Sequence, residues 1–332
     1  MKRIVSAVAA LVILLGVVHP ADAYTHFGAS NNATLSRQWA KELFPSGATD
    51  AILVRSDNFA DSLAAGALAG LIGAPVLMNP PGGGLNSDVA AALDELNALN
   101  VRVIGGTAAV SAQTVSDLEA AGYEVRRIAG ENRVATGAAV MAEEEYDGST
   151  FVYLARAFGD GSTAFADSLG AGMLAGTQGI PLLLTATESL STETRDAITA
   201  SPTVDTVFIV GGTAAVSPAT EDQLVAMGLD VERIAGPDRF ETAARVADLS
   251  FDPGRSGAIT VVDGLDANSW ASGYPASAAA GGAVVLSAGD ELPDATSSFL
   301  DSQATTATTD DLYCAPEVDH NACLAADAEL NG

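Results

Sequence analysis

Positive side chains are scarce in this chain, and they cluster. It holds 15 lysines and arginines against 42 acidic residues, a formal net charge of −27. Arg126, Arg127 and Arg133 nevertheless crowd into RRIAGENR at 126–133, and Arg233 and Arg239 repeat the arrangement in ERIAGPDR at 232–239. Arginine presents a rigid planar fork that grips phosphate or carboxylate through two parallel hydrogen bonds. A local basic pocket of this kind works inside an acidic protein, above all when salt screens the distant repulsion. The alternative is internal, because Glu131 and Asp238 are close enough in sequence to take the same guanidinium groups as ion pairs. Both readings stay open for Arg127, Arg133, Arg233 and Arg239.

Other constellations are weaker. FADSLAAG at 59–66 and FADSLGAG at 165–172 set Asp61 beside Ser62 and Asp167 beside Ser168. Adjacent residues on a helix do not face each other, no histidine is near in sequence, and there is no GxSxG elbow. A carboxylate in a first helical turn, favoured by the helix dipole, is the simpler role for Asp61 and Asp167. VIGGTAAVS at 103–111 and IVGGTAAVS at 209–217 are glycine-rich but match neither GxGxxG nor a P-loop, and beyond Lys2 the only lysine is Lys41. Beyond His19, the histidines are His26 and His320, at opposite ends and without metal-ligand spacing. No catalytic residue, cofactor or metal site is expected, and the chain reads as non-enzymatic.

What must position these residues is a repeated α/β unit. Ser111 and Ser217, Asp61 and Asp167, and Arg133 and Arg239 are each 106 positions apart, and GAPVLM at 73–78 matches GIPLLL at 179–184. A constant offset over several features marks a duplicated structural unit. Within each unit, short apolar runs such as AILVR (51–55) alternate with helical segments at 60–71, 87–98 and 111–121. Ser87 or Asn86 caps the second of these, and the third stops at Gly122. Ser217 before Pro218 is a strong helix start. The glycine pair lets the chain leave a buried strand at unusual backbone angles, and Ser111 or Ser217 then caps the following helix. Gly66-x-x-x-Gly70 and Gly172-x-x-x-Gly176 allow close helix–sheet or helix–helix contact. Strand alternating with helix predicts an α/β fold of parallel sheets flanked by helices.

A third copy is worn. Residues 260–287 keep strand, small-residue helix and strand, but Asn268 stands where the other copies have aspartate, and the glycine-pair strand has become LYCAPE at 312–317. The first copy is worn at its front, where 26–43 aligns with the segment beginning at Arg127 but lacks both arginines.

Taken together, NFADSLAAGALAG with GAPVLM, VIGGTAAVS, and RIAGPDRFETAARVA at 233–247 resemble the cell wall-binding repeat 2 modules of Gram-positive surface proteins. The resemblance covers nearly all of 26–303. It implies three tandem modules in a pseudo-threefold arrangement, the third degenerate, that hold an exported protein non-covalently on the wall. The implied partner is cell wall polysaccharide or a teichoic-like anionic polymer, with other surface proteins as further partners. The implied polymer-binding residues are Arg127, Arg133, Arg233, Arg239, Asp61, Asp167, Ser111 and Ser217. Two alternatives follow from the same family: a wall hydrolase such as an amidase, or its modifier, and a structural S-layer-like component.

The ends agree with export. Lys2 and Arg3, the apolar run 4–18 and Ala21-Asp22-Ala23 form a secretory signal with a cleavage site, which predicts a mature chain from Tyr24, secreted and retained at the cell wall or cell surface. No later run is long and apolar enough to span a bilayer. Loss of residues 1–23 makes the net charge −28, a surface that repels nucleic acid and anionic lipid. Cys314 and Cys323 are expected to pair in an oxidising compartment, contributing on the order of 2–3 kcal/mol. The expected organisation is signal peptide 1–23, repeats at 24–125 and 126–231, a degenerate repeat at 232–303, and a disulfide-bearing tail at 304–332.

Overall fold

The computed structural model describes residues 24–160, 165–307 and 311–331, with the side chains of 166–168 left aside. The expected signal segment 1–23 and the side chain of Asp167 therefore lie outside the described residues. The chain opens with β1 (Thr25–His26) and α1 (Asn32–Leu43). The first module then runs β2 (Asp50–Arg55), α2 (Ser62–Ile72), β3 (Val76–Asn79), α3 (Ser87–Leu96), β4 (Asn100–Ile104), α4 (Ala112–Ala121) and β5 (Glu124–Ile128). A connecting helix, α5 (Arg133–Met141), leads to the second: β6 (Phe151–Arg156), α6 (Ala166–Gln178), β7 (Leu182–Thr185), α7 (Thr192–Ala200), β8 (Thr206–Val210), α8 (Pro218–Ala226) and β9 (Asp230–Ile234). Helix α9 (Arg239–Ser250) leads to the third: β10 (Ile259–Asp263), α10 (Trp270–Ala276), β11 (Ala283–Ser287), α11 (Asp294–Gln303), β12 (Leu312–Cys314) and α12 (His320–Asn331).

The described residues form three parallel four-stranded sheets, ordered β3-β2-β4-β5, β7-β6-β8-β9 and β11-β10-β12-β1. The third sheet draws on both ends of the chain, since β1 pairs with β12 through Thr25↔Tyr313 and His26↔Cys314. The expected disulfide joins Cys314 to Cys323 and so ties β12 to α12. Tyr24 and His320 share a hydrogen bond of 2.7 Å, and the Phe27 ring packs 4.0 Å from that of Trp39.

Local chemistry explains the elements. Ala51–Val54 are buried on both faces of their sheet, as a strand covered by helices must be. Helix α2 is buried at every position from Ser62 to Gly70, which is why it reads as apolar all round rather than amphipathic. Asn86, rather than Ser87, caps α3 by accepting from the Asp88 N–H, and Ser111 and Ser217 cap α4 and α8 as expected. Pro275 interrupts α10 and leaves it shorter than its counterparts α2 and α6.

The three equivalent helices α2, α6 and α10 meet at the centre and set the pseudo-threefold arrangement. The glycine spacings serve this contact: a Cβ on Gly70 would stand 2.9 Å from the Gly176 Cα, and one on Gly176 would stand 2.8 Å from the Gly70 Cα. One apolar core runs through all three modules, with Leu68, Leu174 and Tyr274 in it. Modules 1 and 2 each add an outer core under their flanking helices, around Leu93 and Leu118 in the first and around Ile198 and Leu224 in the second.

Candidate functional site

In the first two sheets the chain runs outward in opposite directions from two central strands, and the switch point beyond their C-terminal ends is where such α/β sheets form their crevices. In module 1 this lies past β2 and β4, between the 56–61 loop and the glycine turn at 105–111. Gly105 and Gly211 take φ of +111° and +115°, angles that side chains rarely adopt. At Gly105 a Cβ would also stand 2.8 Å from the Asp61 carboxyl carbon, so the turn and the carboxylate fit each other.

Arg127 fastens this turn. Its Nη1 donates to the Gly105 carbonyl at 2.6 Å and its Nη2 to the Val110 carbonyl at 2.8 Å, while burial pushes its pKa down. Arg233 repeats the bond at Gly211 (2.7 Å) and adds an ion pair with Glu221. Ser111 accepts from the Thr114 N–H at 3.0 Å and donates to the Gly83 carbonyl, and Ser217 accepts from the Thr220 N–H at 3.4 Å. Carbonyls and Glu221, rather than Glu131 or Asp238, thus take Arg127 and Arg233. Asp238 instead caps α9 through the Glu241 N–H.

Asp61 does not cap α2. Its backbone is helical (φ −85°, ψ −20°), which swings the carboxylate off the helix start and into the crevice, where it accepts from Thr136 Oγ1 at 3.4 Å. Burial raises its pKa above the usual carboxylate range, against the opposing pull of Arg55, the Thr136 hydroxyl and Arg133.

The first residues of α1, α5 and α9 bridge neighbouring modules. Arg133 Nη1 donates to the Ala157 carbonyl at 2.9 Å, Arg239 Nη1 to the Gly264 carbonyl at 2.6 Å, and Asn32 Nδ2 to the Ser56 carbonyl at 2.7 Å. Each acceptor follows the first strand of the next module. The Arg133 guanidinium lies over the rings of Phe59 and Phe158, 5.0 and 5.3 Å from their centroids. It is half-buried, desolvation lowers its pKa, and among the described residues no carboxylate is within ion-pair distance; Asp61 acts on it only at longer range. Arg55 is different, held by Asp57 at 2.7 Å.

The structure therefore gathers Asp61, Ser111, Arg127 and Arg133 round one crevice, and Ser217, Arg233 and Arg239 round the next. Sequence reasoning missed Arg55, Thr136, Phe59 and Phe158. Phe59 carried a signal, since Phe165 repeats it in the same motif, but Phe158 has Asp57 and Leu265 as counterparts and carried none. In the third crevice, past β10 and β12, Pro316 and Glu317 replace the glycine pair. Glu317 accepts from Ser272 Oγ at 3.3 Å there, with its carboxyl pushed up to about 7, chiefly by burial and with Asp266 adding repulsion. Among the described residues no group of histidine, cysteine and acidic side chains could hold a metal ion, and no helix is long and apolar enough to cross a membrane.

A pseudo-threefold assembly of parallel-sheet modules with repeated arginine-bearing crevices defines a class of tandem binding module. The family profile described as Cell wall binding domain 2 (CWB2) matches residues 27–115 and 127–221, and the chain belongs to that family. Among curated proteins it is 38% identical over 123 residues to N-acetylmuramoyl-L-alanine amidase LytC of Bacillus subtilis (strain 168), 37% of this chain and 23% of the amidase. Among solved structures it resembles Cwp6 from Clostridium difficile (TM-score 0.76, 20% identity, 93% of this chain and 48% of that one). Cwp8 from the same organism is similar (TM-score 0.75, 24% identity, 93% and 52%). The chain thus spans about a quarter of the amidase and about half of each structural neighbour, and the neighbours speak for the fold.

Proposed function

We propose that the protein is a non-enzymatic wall-binding module that grips an anionic secondary wall polymer, a teichoic-like or acidic polysaccharide, in the crevices between its modules. The observation that carries this reading is Arg133. In a chain with 42 acidic residues, a half-buried guanidinium spends one N–H on a carbonyl and has no carboxylate in ion-pair reach among the described residues. Desolvating a cation without a counter-ion costs free energy, and an incoming phosphate or carboxylate recovers it. The 106-residue repeat gives Arg239 the equivalent role in the second crevice, while Arg127, Arg233, Ser111 and Ser217 act by holding the glycine turns that shape both. Asp61 keeps Arg133 company from a distance and repels ligands that approach without meeting the guanidinium. The sequence features at 1–23 support export and retention at the cell surface, with repeats over 24–125, 126–231 and 232–303 and a tail over 304–332.

The test is co-sedimentation of residues 24–332 with purified walls across a salt series, using intact walls and walls stripped of secondary polymer. Binding is expected to disappear on stripping, and Arg133→Gln should weaken it at least tenfold, about the worth of one charge-assisted hydrogen bond. Equal binding to both wall preparations would move the target to peptidoglycan. The likeness to an amidase favours one second reading, a modifier of wall hydrolysis. A fall in turbidity of a wall suspension that requires both a hydrolase and this protein would establish it.

A further inference from the structure

We infer that the junction between modules 1 and 2 recognises a sugar ring together with the anionic group attached to it, and that Phe158 is the ring-stacking residue. This rests on the polymer-binding reading above and narrows it to one ligand unit. Phe158 leaves 47% of its surface exposed at the mouth of the crevice, while the Arg133 guanidinium lies over its ring. A half-exposed aromatic ring beside a desolvated cation suits a ligand with an apolar C–H face next to a negative charge. A pyranose ring carrying a phosphate or carboxylate has both, at adjacent atoms. A bare polyphosphate has no use for the ring, and a neutral glycan has none for the guanidinium. The residues at the position of Phe158 differ at the other junctions: Asn32 meets a loop with Asp57, which is held by Arg55, and Arg239 meets a loop with Leu265, 56% exposed.

The experiment measures wall affinity against salt for the chain from residue 24, for Phe158→Ala, Phe158→Tyr and Arg133→Gln, each checked for native circular dichroism. Stacking is insensitive to ionic strength, whereas a lost charge contact flattens the dependence of log affinity on log salt. Phe158→Ala is expected to bind about tenfold more weakly at every salt concentration with the slope unchanged, Phe158→Tyr to bind as the parent does, and Arg133→Gln to lose affinity and slope together. Unchanged affinity in Phe158→Ala overturns the inference. So does a flattened slope in that variant, since Phe158 would then act only by holding Arg133. If Arg133→Gln alone is without effect, the anionic reading fails while a neutral-sugar site at Phe158 survives. A parent protein that binds neither wall preparation overturns both.

Discussion

Where module 1 meets module 2, Arg133 opens α5 and Asp61 lies among cations; where module 3 meets module 1, Asn32 opens α1 and Glu317 lies beside Asp266. The backbones correspond, and both leading residues donate to the carbonyl just past the neighbouring module's first strand, at 2.9 and 2.7 Å. The bridge between modules therefore needs only a donor at that position, and asparagine satisfies it as well as arginine. What Arg133 adds is a charge and N–H groups beyond the one the bridge uses. The comparison separates holding the assembly together from the proposed ligand contact: all three junctions do the first, and two of them place at that position the arginine that the proposal requires.

The sharpest way to probe that contrast is pH. Glu317 carries a carboxyl raised from 4.5 to about 7, so the folded state holds a proton that the unfolded chain has lost. Stability from this group is complete below about pH 4.5 and falls as pH rises to about 7, by roughly 3 kcal/mol in total. Urea titrations between pH 4 and 8 should show the decline, and Glu317→Gln should flatten it and leave the variant more stable at pH 8. An equal decline in the variant would move its origin elsewhere.

Next in size is the glycine turn. Gly105→Ala places a side chain at φ +111° and against the Asp61 carboxylate, and should cost about 2–3 kcal/mol in denaturant unfolding. Pro316, at the corresponding position of module 3, already holds the negative φ that proline requires and should accept alanine for about 1 kcal/mol or less. Similar costs at both sites would mean that the two turns do not differ as described. Removing the disulfide with Cys323→Ser should lower the stability of module 3 by about 2–3 kcal/mol, leaving hydrogen-exchange protection in β2 and β6 unchanged. Smallest of all, Asn32→Ala leaves the Ser56 carbonyl without this donor and should cost about 1 kcal/mol in stability with no loss of wall affinity. A loss of affinity as large as that of Arg133→Gln would erase the distinction between the junctions.

Much of the architecture was legible because it rests on local chemistry repeated at a fixed interval. Ser217 before Pro218, the glycine pairs and the Gly66/Gly70 and Gly172/Gly176 spacings each act within a turn or two, and each appears where the chain pattern places it. The arginines were legible as a group but not in their roles. Arg127 and Arg133 are six positions apart, yet one ends up on carbonyls of its own module and the other between two rings belonging to different modules. Asp61 was misplaced for a similar reason, because a carboxylate at a helix start usually caps and here a Thr136 hydroxyl 75 positions away and the bare face of Gly105 draw it elsewhere. Glu317 gave no sign at all, since burial is a property of the closed assembly.

The pairing of Thr25 with Tyr313 makes the molecule a ring with a seam. Modules 1 and 2 close their sheets from consecutive segments, so their strands can find each other as soon as those segments exist. The third sheet must join residues 288 positions apart, the distance from Thr25 to Tyr313, and the entropy of closing so long a loop falls on its last strand pair alone. On this argument the pairing of Thr25 and His26 with β12 is the last to close. A cut between modules, with the old ends joined by a short linker, would turn that slowest closure into a local one and make a different strand pair the seam.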